Sequence, residues 1–296
     1  MYLTHQNIEQ WVSSSPQAQL PFRQAIHIIL KAISNTETLR PFMIMKGGML
    51  LGIFYQNDRY TKDIDFSTGQ KLADIDVATF LQTFNDAMDI AETEVNYGMK
   101  CKCQSHEIKP NAIGTFPTIV IKIGYAYKNG MNLKQLEKPF STIIQIDYSL
   151  NEPCYNIDSI YIDSETTIQV YALIDVIAEK FRSVLQQKIR KRNREQDIYD
   201  LNFLIDNFQD VYTDMKYKIL DTLHKKSIGK NLEPLLHQNG MRDPEVKRRS
   251  GERYQDLTTT VESLPAFEPT YEKVTQFFES LPWDKFNQQT NKSLIK

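Results

Sequence analysis

Apolar residues recur at helical spacing over residues 17–34, where Leu20, Ile26, Ile29, Leu30 and Ile33 share one face. A short apolar run from Pro41 to Met45 stops at Lys46-Gly47-Gly48, which predicts a strand followed by a tight turn. Met49–Tyr55 then reads as a short helix and Ile64–Ser67 as a second strand. Ile75, Val77, Phe80, Leu81, Phe84 and Met88 give residues 73–90 a helical period. Glu94–Gln104 alternates like a strand, and Pro117–Tyr125 and Thr142–Leu150 are runs rich in Thr, Ile and Val that favour strands. Beyond residue 160 the texture changes. Val170, Leu173, Ile174, Ile177, Phe181, Val184 and Leu185 mark one face of a long helix expected over 167–189. Further helices are expected over Glu195–Phe208, Tyr212–Lys225, 244–258 and 270–280, and the polar stretch from Trp283 to Lys296 is expected to fray. The pattern predicts an α+β chain: a mixed α/β half over residues 1–160 with a small mixed sheet, and a helical half over 161–296.

Composition narrows this picture. At 296 residues, 41% hydrophobic and 24% charged, the chain has enough apolar material for one large core or two modest ones, which excludes a disordered protein. The opening MYLTHQNIEQW lacks an apolar signal-peptide core, and the apolar run at Thr118–Tyr125 is cut by Lys122. No stretch approaches the roughly 18 or more apolar residues of a spanning helix. The expected location is therefore the cytoplasm, without a membrane partner. Three cysteines, Cys101, Cys103 and Cys154, suit reduced thiols rather than a disulfide framework. The Cys101/Cys103 pair is explained better by strand alternation than by zinc.

Charge is balanced overall and unbalanced locally. The chain has 35 basic and 37 acidic residues and a net charge of -2. Seven of the fifteen residues from Lys180 to Arg194 are basic and none is acidic, so without that segment the remainder stands at -9. A solvated helix face is the ordinary fate of such a run. Lys188, Arg190, Lys191, Arg192 and Arg194 are nonetheless candidates to guide a polyanion such as RNA.

Candidate chemistry lies in Lys46-Gly47-Gly48, fourteen further residues, and then Asp63-Ile64-Asp65. Two glycines between a strand and a helix let the backbone approach a phosphate, and the helix amino terminus offers unpaired N–H donors. An Asp-x-Asp on a strand directs both carboxylates to one face. Convergent carboxylates repel each other unless a cation lies between them, and oxygen donors suit Mg²⁺ or Mn²⁺. Asp147 ends the apolar run Ile143-Ile144-Gln145-Ile146 and is a candidate third carboxylate. Asp63, Asp65 and Asp147 are thus the candidate metal ligands. Taken singly, each piece is more often a plain turn or a solvated strand end; their order is what makes them specific.

That order resembles the nucleotidyltransferase fold of DNA polymerase β type. The text M-K-G-G-M-L-L-G…D-R-Y-T-K-D-I-D-F-S resembles the AbiEii/AbiGii-type toxins, MenT-like members included, through Lys46, Gly47, Gly48, Leu51, Arg59, Thr61, Asp63, Asp65 and Phe66. A second block, Glu179-Lys180-Phe181 followed by Arg192-Asn193-Arg194-Glu195-Gln196-Asp197-Ile198-Tyr199-Asp200-Leu201, resembles another motif of that branch. A Glu-Gln pair before Asp197 leaves the equivalent basic residue open among Arg190, Arg192 and Arg194.

The resemblance implies a metal-dependent transfer of a nucleotide from a nucleoside triphosphate to an acceptor. The catalytic set would be Asp63, Asp65, Asp147, Lys180 and Asp197. The nucleotide-binding set would be Lys46, Gly47, Gly48, Arg59, Thr61, Ser67, Lys180 and Asp200, with the helical half closing a cleft for nucleotide and RNA. It also implies an RNA acceptor (tRNA 3′ ends in MenT-like members), a cognate antitoxin partner and a role in abortive infection against phage. Two rival functions remain open: a catalytically silent module of the same fold that binds RNA or a partner, and a transferase acting on a small molecule. A kinase is disfavoured, because no G-x-x-x-x-G-K-[ST] or H-R-D set occurs.

Overall fold

A computed structural model describes residues 7–110 and 114–284, without the side chains of 209–214. The chain divides into two compact units: Met1–Gln56 with Tyr60–Tyr171, and Asn57–Arg59 with Ala172–Lys296. The main division thus falls at Tyr171, later than residue 160, because residues 157–171 supply two strands to the sheet of the first unit.

The first unit runs α1 (Ile8–Ser13), α2 (Leu20–Asn35), β1 (Ile44–Lys46), α3 (Gly47–Phe54), β2 (Asp63–Ser67), α4 (Val77–Val95), β3 (Met99–Lys109), β4 (Thr118–Tyr127), α5 (Leu133–Glu137), β5 (Ile143–Ser149), β6 (Ile157–Tyr161) and β7 (Thr167–Tyr171). Its strands form one mixed sheet in the order β3-β4-β5-β2-β1-β7-β6. β2 is central, pairing antiparallel to β1 and parallel to β5. The helix expected over 167–189 begins only after β7. Ile168 and Val170 are buried and alternate with half-buried Thr167 and Gln169, a period of two that the longer helical pattern overprints. The strand expected at Glu94–Gln104 starts later, since α4 runs to Val95 and closes on Asn96 in the left-handed conformation, φ 51°.

One face of the sheet carries the core. Ile64, Phe66, Ile144 and Ile146 are fully buried, and Phe80 of α4 stacks on Tyr148 of β5 with ring centroids 5.4 Å apart. Alternation sends Asp63, Asp65, Gln145 and Asp147 to the opposite face.

The second unit is helical: α6 (Leu173–Arg190), α7 (Glu195–Asn207), α8 (Gln209–Ser227), α9 (Pro244–Glu252) and α10 (Phe267–Glu279). α6 is its centre and packs against α7, α8 and α9. Phe181 is fully buried, stacks on Phe277 at a centroid distance of 6.1 Å and packs in a tilted arrangement on Phe278 at 5.1 Å. Trp283, expected in a fraying tail, is instead 4% exposed and donates its indole N–H to the Phe278 carbonyl at 2.9 Å. The rest of that expected tail, from residue 285 on, lies outside the described residues. No helix among the described residues is long and apolar enough to cross a membrane.

Candidate functional site

The sequence-predicted carboxylates of the first unit are brought together by strand register. Asp65 lies directly opposite Asp147 in the parallel β2–β5 pair, and Asp63 lies opposite Gln145. On the other side of β2, Asp65 faces Lys46 of β1. Gln145 donates its side-chain amide to Asp147 Oδ1 at 2.9 Å, which orients that carboxylate. Asp63 sits at the exposed start of β2. Partial desolvation, and then the negative charge of Asp147, hold its carboxyl above the usual range.

Gly47 explains the glycine of the turn. Its φ is +77°, in the left-handed region, and a Cβ there would lie 2.9 Å from Asp65 Cγ and closer still to Oδ2. The start of α3 is therefore pressed directly onto a carboxylate of the Asp-x-Asp pair. Gly48 is the second residue of the same helix.

Lys46 and Ser67, both expected at a nucleotide, are engaged with a residue the sequence did not single out. Lys46 Nζ pairs with Glu152 Oε2 at 2.6 Å, and the fully buried Ser67 hydroxyl donates to the same oxygen at 2.9 Å. Glu152 follows β5 in an irregular segment, so neither alternation nor helical period marks it; only its coupling to the turn reveals it. Ser67, expected at the nucleotide, is buried to zero exposure. Thr61 is half-buried in the segment that leads into β2.

Two carboxylates on one strand and a third across from them are an oxygen-only donor set, and the Asp63–Asp147 repulsion is of the kind that a bound cation relieves. Their chemistry fits a divalent cation. As placed, no group of three or more His, Cys, Asp or Glu side chains among the described residues is close enough together to hold an ion. Cys101 and Cys103 project from β3, and burial pushes both thiols upward, Cys103 to about 12, as strand alternation predicts.

The second unit holds its own charged cluster. Asp200 is fully buried and receives Arg59 Nε at 2.8 Å, Arg59 Nη2 at 2.7 Å, Lys180 Nζ at 2.7 Å and Asn57 Nδ2 at 3.3 Å. Lys180 also reaches Asp197 at 3.0 Å. Burial alone would raise the Asp200 carboxyl, but Lys180 and Arg59 outweigh it and hold it at about 2. The same aspartates outweigh burial to keep Lys180 raised. Asp200, expected at the nucleotide, has no exposed surface and holds Arg59 and Lys180. Lys180 and Asp197 are 6% and 7% exposed, so Lys180 is a buried, paired cation.

The basic strip separates into two kinds. Arg182, 8% exposed, is tied to Glu179 and to Gln186. Of the candidate RNA-binding residues, Lys188 is exposed and pairs with Asp243 at 2.7 Å. Arg190, Lys191 and Arg192 are exposed at the end of α6, and Arg194 is half-buried just before α7.

The profile of the family described as "Nucleotidyl transferase AbiEii toxin, Type IV TA system" matches residues 28–277. No curated protein matches the sequence. Among solved structures, the chain is similar to JHP933 from Helicobacter pylori (15% identity, 96% of this chain and 100% of that chain covered, TM-score 0.54). It is also similar to MenT4, a nucleotidyltransferase toxin from Mycobacterium tuberculosis H37Rv (13% identity, 95% and 91% covered, TM-score 0.56). At such identities the structures speak for the fold, which is that of nucleotidyltransferase toxins, while the profile spans most of the chain. The chain belongs to the AbiEii nucleotidyl transferase toxin family of type IV toxin–antitoxin systems.

Proposed function

We propose that this nucleotidyltransferase is metal-dependent and transfers a nucleotidyl group from a nucleoside triphosphate to RNA, with tRNA 3′ ends as the acceptor class. The observation that carries the reading is the registered trio on one sheet face, Asp63 and Asp65 on β2 beside Asp147 on β5, with Gly47 against Asp65. Asp63, Asp65 and Asp147 would hold Mg²⁺ or Mn²⁺. Such a cation, when bound, neutralises charge on the phosphates and polarises the reacting oxygens.

The chain's own residues do the rest. An acceptor hydroxyl oxygen forms a bond to the α-phosphorus, the bond to the bridging oxygen breaks, and pyrophosphate leaves. Asp147, aligned by Gln145, is the group we assign to the hydroxyl proton. Gly47 and Gly48 admit the phosphates close to the α3 backbone. Glu152 holds the cation of Lys46, which lies opposite Asp65 in the β1–β2 pair. In the second unit Asp200 and Asp197 position Lys180, the cation we assign to the departing pyrophosphate, and Asp200 positions Arg59. A cognate antitoxin neutralises the activity in the cell, and its release arrests growth during phage infection.

The test is incubation with total RNA and each labelled nucleoside triphosphate in turn, with Mg²⁺, Mn²⁺ or a chelator. Label entering the tRNA fraction, lost with the chelator and in Asp63→Ala and Asp65→Ala, is the expected result. Transfer or growth arrest that survives both substitutions would overturn the assignment.

A further inference from the structure

The four arginines at the carboxy-terminal end of α6 form a feature that the chemistry above does not use. Arg182, Arg190, Arg192 and Arg194 line a cavity of about 20 Å³, together with polar side chains of α6. The shape is held from below. Gln187, 1% exposed, accepts the Arg194 backbone N–H at 2.7 Å and donates to the Ser250 hydroxyl at 2.9 Å and to the Val184 carbonyl at 3.0 Å. Lys191 turns the chain there in the left-handed conformation, φ 51°, so that Arg192 and Arg194 fold back beside Arg190.

The charges do not cancel. Glu179 neutralises Arg182, whereas Arg190, Arg192 and Arg194 make no ion pair within 4.0 Å among the described residues. Partial desolvation, and then the like charges of Arg182, Arg192 and Arg194, outweigh the attraction of Glu179 and disfavour the Arg190 cation, which is the condition an anion relieves. Guanidinium groups donate in pairs to tetrahedral oxyanions. A single water needs roughly 10–15 Å³ on this measure, so the cavity admits an oxygen of an oxyanion seated at its mouth and is far too small for a nucleoside.

We propose that this arginine cavity is a seat for one phosphate group, and that the ligand carrying it is the sugar–phosphate backbone of RNA. The naming of RNA rests on the transfer reaction proposed above; the seat itself rests on the side chains. A backbone phosphate can enter with its sugars outside, and the exposed Lys191 adjoins Arg190 and Arg192 in sequence. Such a contact positions a strand without reading its sequence.

The experiment uses the full chain and two ligands: a fluorescein-labelled single-stranded RNA of mixed sequence, and a labelled nucleoside triphosphate. Binding of each is measured over a potassium chloride series for wild type, Arg190→Gln/Arg194→Gln, and Arg190→Lys/Arg194→Lys. A control, Lys71→Gln/Lys134→Gln, removes two exposed charges from the first unit. The glutamine pair is expected to weaken RNA binding by about tenfold and to lower the salt slope by about 0.7 for each phosphate no longer neutralised. The lysine pair, which keeps the charge but not the fork, should fall between, and the control pair should change RNA binding less than twofold. Nucleotide binding should be unchanged throughout. RNA binding untouched by both arginine pairs, or weakened as much by the control pair, would overturn the seat. Weakened nucleotide binding with RNA binding intact would make it a nucleotide subsite and overturn the RNA assignment. Label transfer by the wild-type chain is read in the same samples. An arginine-dependent RNA affinity without transfer would sink the reaction while leaving the seat standing, and transfer without that dependence would do the reverse.

Discussion

Gly47 offers a prediction whose components can be separated. In Gly47→Ala the new Cβ is held at φ +77° and meets Asp65, with Cγ at 2.9 Å and Oδ2 nearer. The torsional part costs an L-residue about 1–2 kcal/mol. The steric part is additional, because carbon atoms in contact prefer about 3.5–4.0 Å, and relieving such overlap typically costs about 1–3 kcal/mol. Gly130 isolates the first part: its φ is +76°, and a Cβ there meets nothing within 4 Å. Gly130→Ala should therefore destabilise the first unit by about 1–2 kcal/mol, and Gly47→Ala by about 2–5 kcal/mol. In an Asp65→Ala background only the Asp65 Cβ contact at 3.1 Å remains, so the excess at Gly47 should shrink by more than half. The assay is scanning calorimetry, with the transition of the first unit assigned by hydrogen exchange of the β2 amides. Equal costs at the two glycines, or an excess unchanged by Asp65→Ala, would refute the claim that the turn is packed onto the carboxylate.

Asp200→Asn should destabilise the second unit by about 3–5 kcal/mol, because it leaves Lys180 and Arg59 buried with a neutral partner. The Asp200 carboxyl lies at about 2, below its ordinary 3.8, so its contribution is present above pH 4 and lost as pH falls through about 2. Denaturant melts at pH 7 and pH 3 should show this acid limb in the wild type and not in the variant. In the first unit, His27 is 4% exposed, 2.8 Å from the Tyr97 hydroxyl, and burial and then Lys31 push it down to about 4. It is neutral when folded and titrates near 6.5 when unfolded, so stability should fall by about 3 kcal/mol between pH 6.5 and 4. His27→Gln should flatten that slope, and an unchanged slope would mean that other groups cause it.

Local periodicity made much of this fold legible. Asp63 and Asp65 could be placed on one strand face from the sequence, because strand alternation is a local rule, whereas the position of Asp147 beside them follows from the β2–β5 register. What stayed hidden depended on pairing. β6 and β7 lay at the seam of a helical pattern, and their pairing with each other and of Val170 with Met45 decides that residues 167–171 are a strand. Glu152 carries no periodic signal and gains its role by meeting Lys46, 106 residues away in sequence. Asp200 was legible as a polar residue on a helix face, yet its burial follows from Asn57 and Arg59, which a segment far earlier in the chain brings to it.

The basic strip shows why charge along the sequence and charge in space differ. Seven cations in fifteen residues read as one feature, but α6 rotates by about 100° per residue and distributes them around its axis. Lys180 and Arg182 turn inward, where Asp197, Asp200 and Glu179 neutralise them, and Lys188 meets Asp243. Arg190, Lys191, Arg192 and Arg194 lie at the helix end, where the carbonyl pole favours cations and no carboxylate within 4.0 Å among the described residues pairs with them. An excess of seven is therefore an overcount of the charge available to a polyanion. The effective field is that of four residues at one helix terminus; charge reversal at Lys180 would damage the fold rather than RNA affinity, and reversal at Arg182, which lines the arginine cavity, would do both. A mutational scan that treats the seven as equivalent would confuse these two effects, whereas one confined to Arg190–Arg194 reads the surface alone.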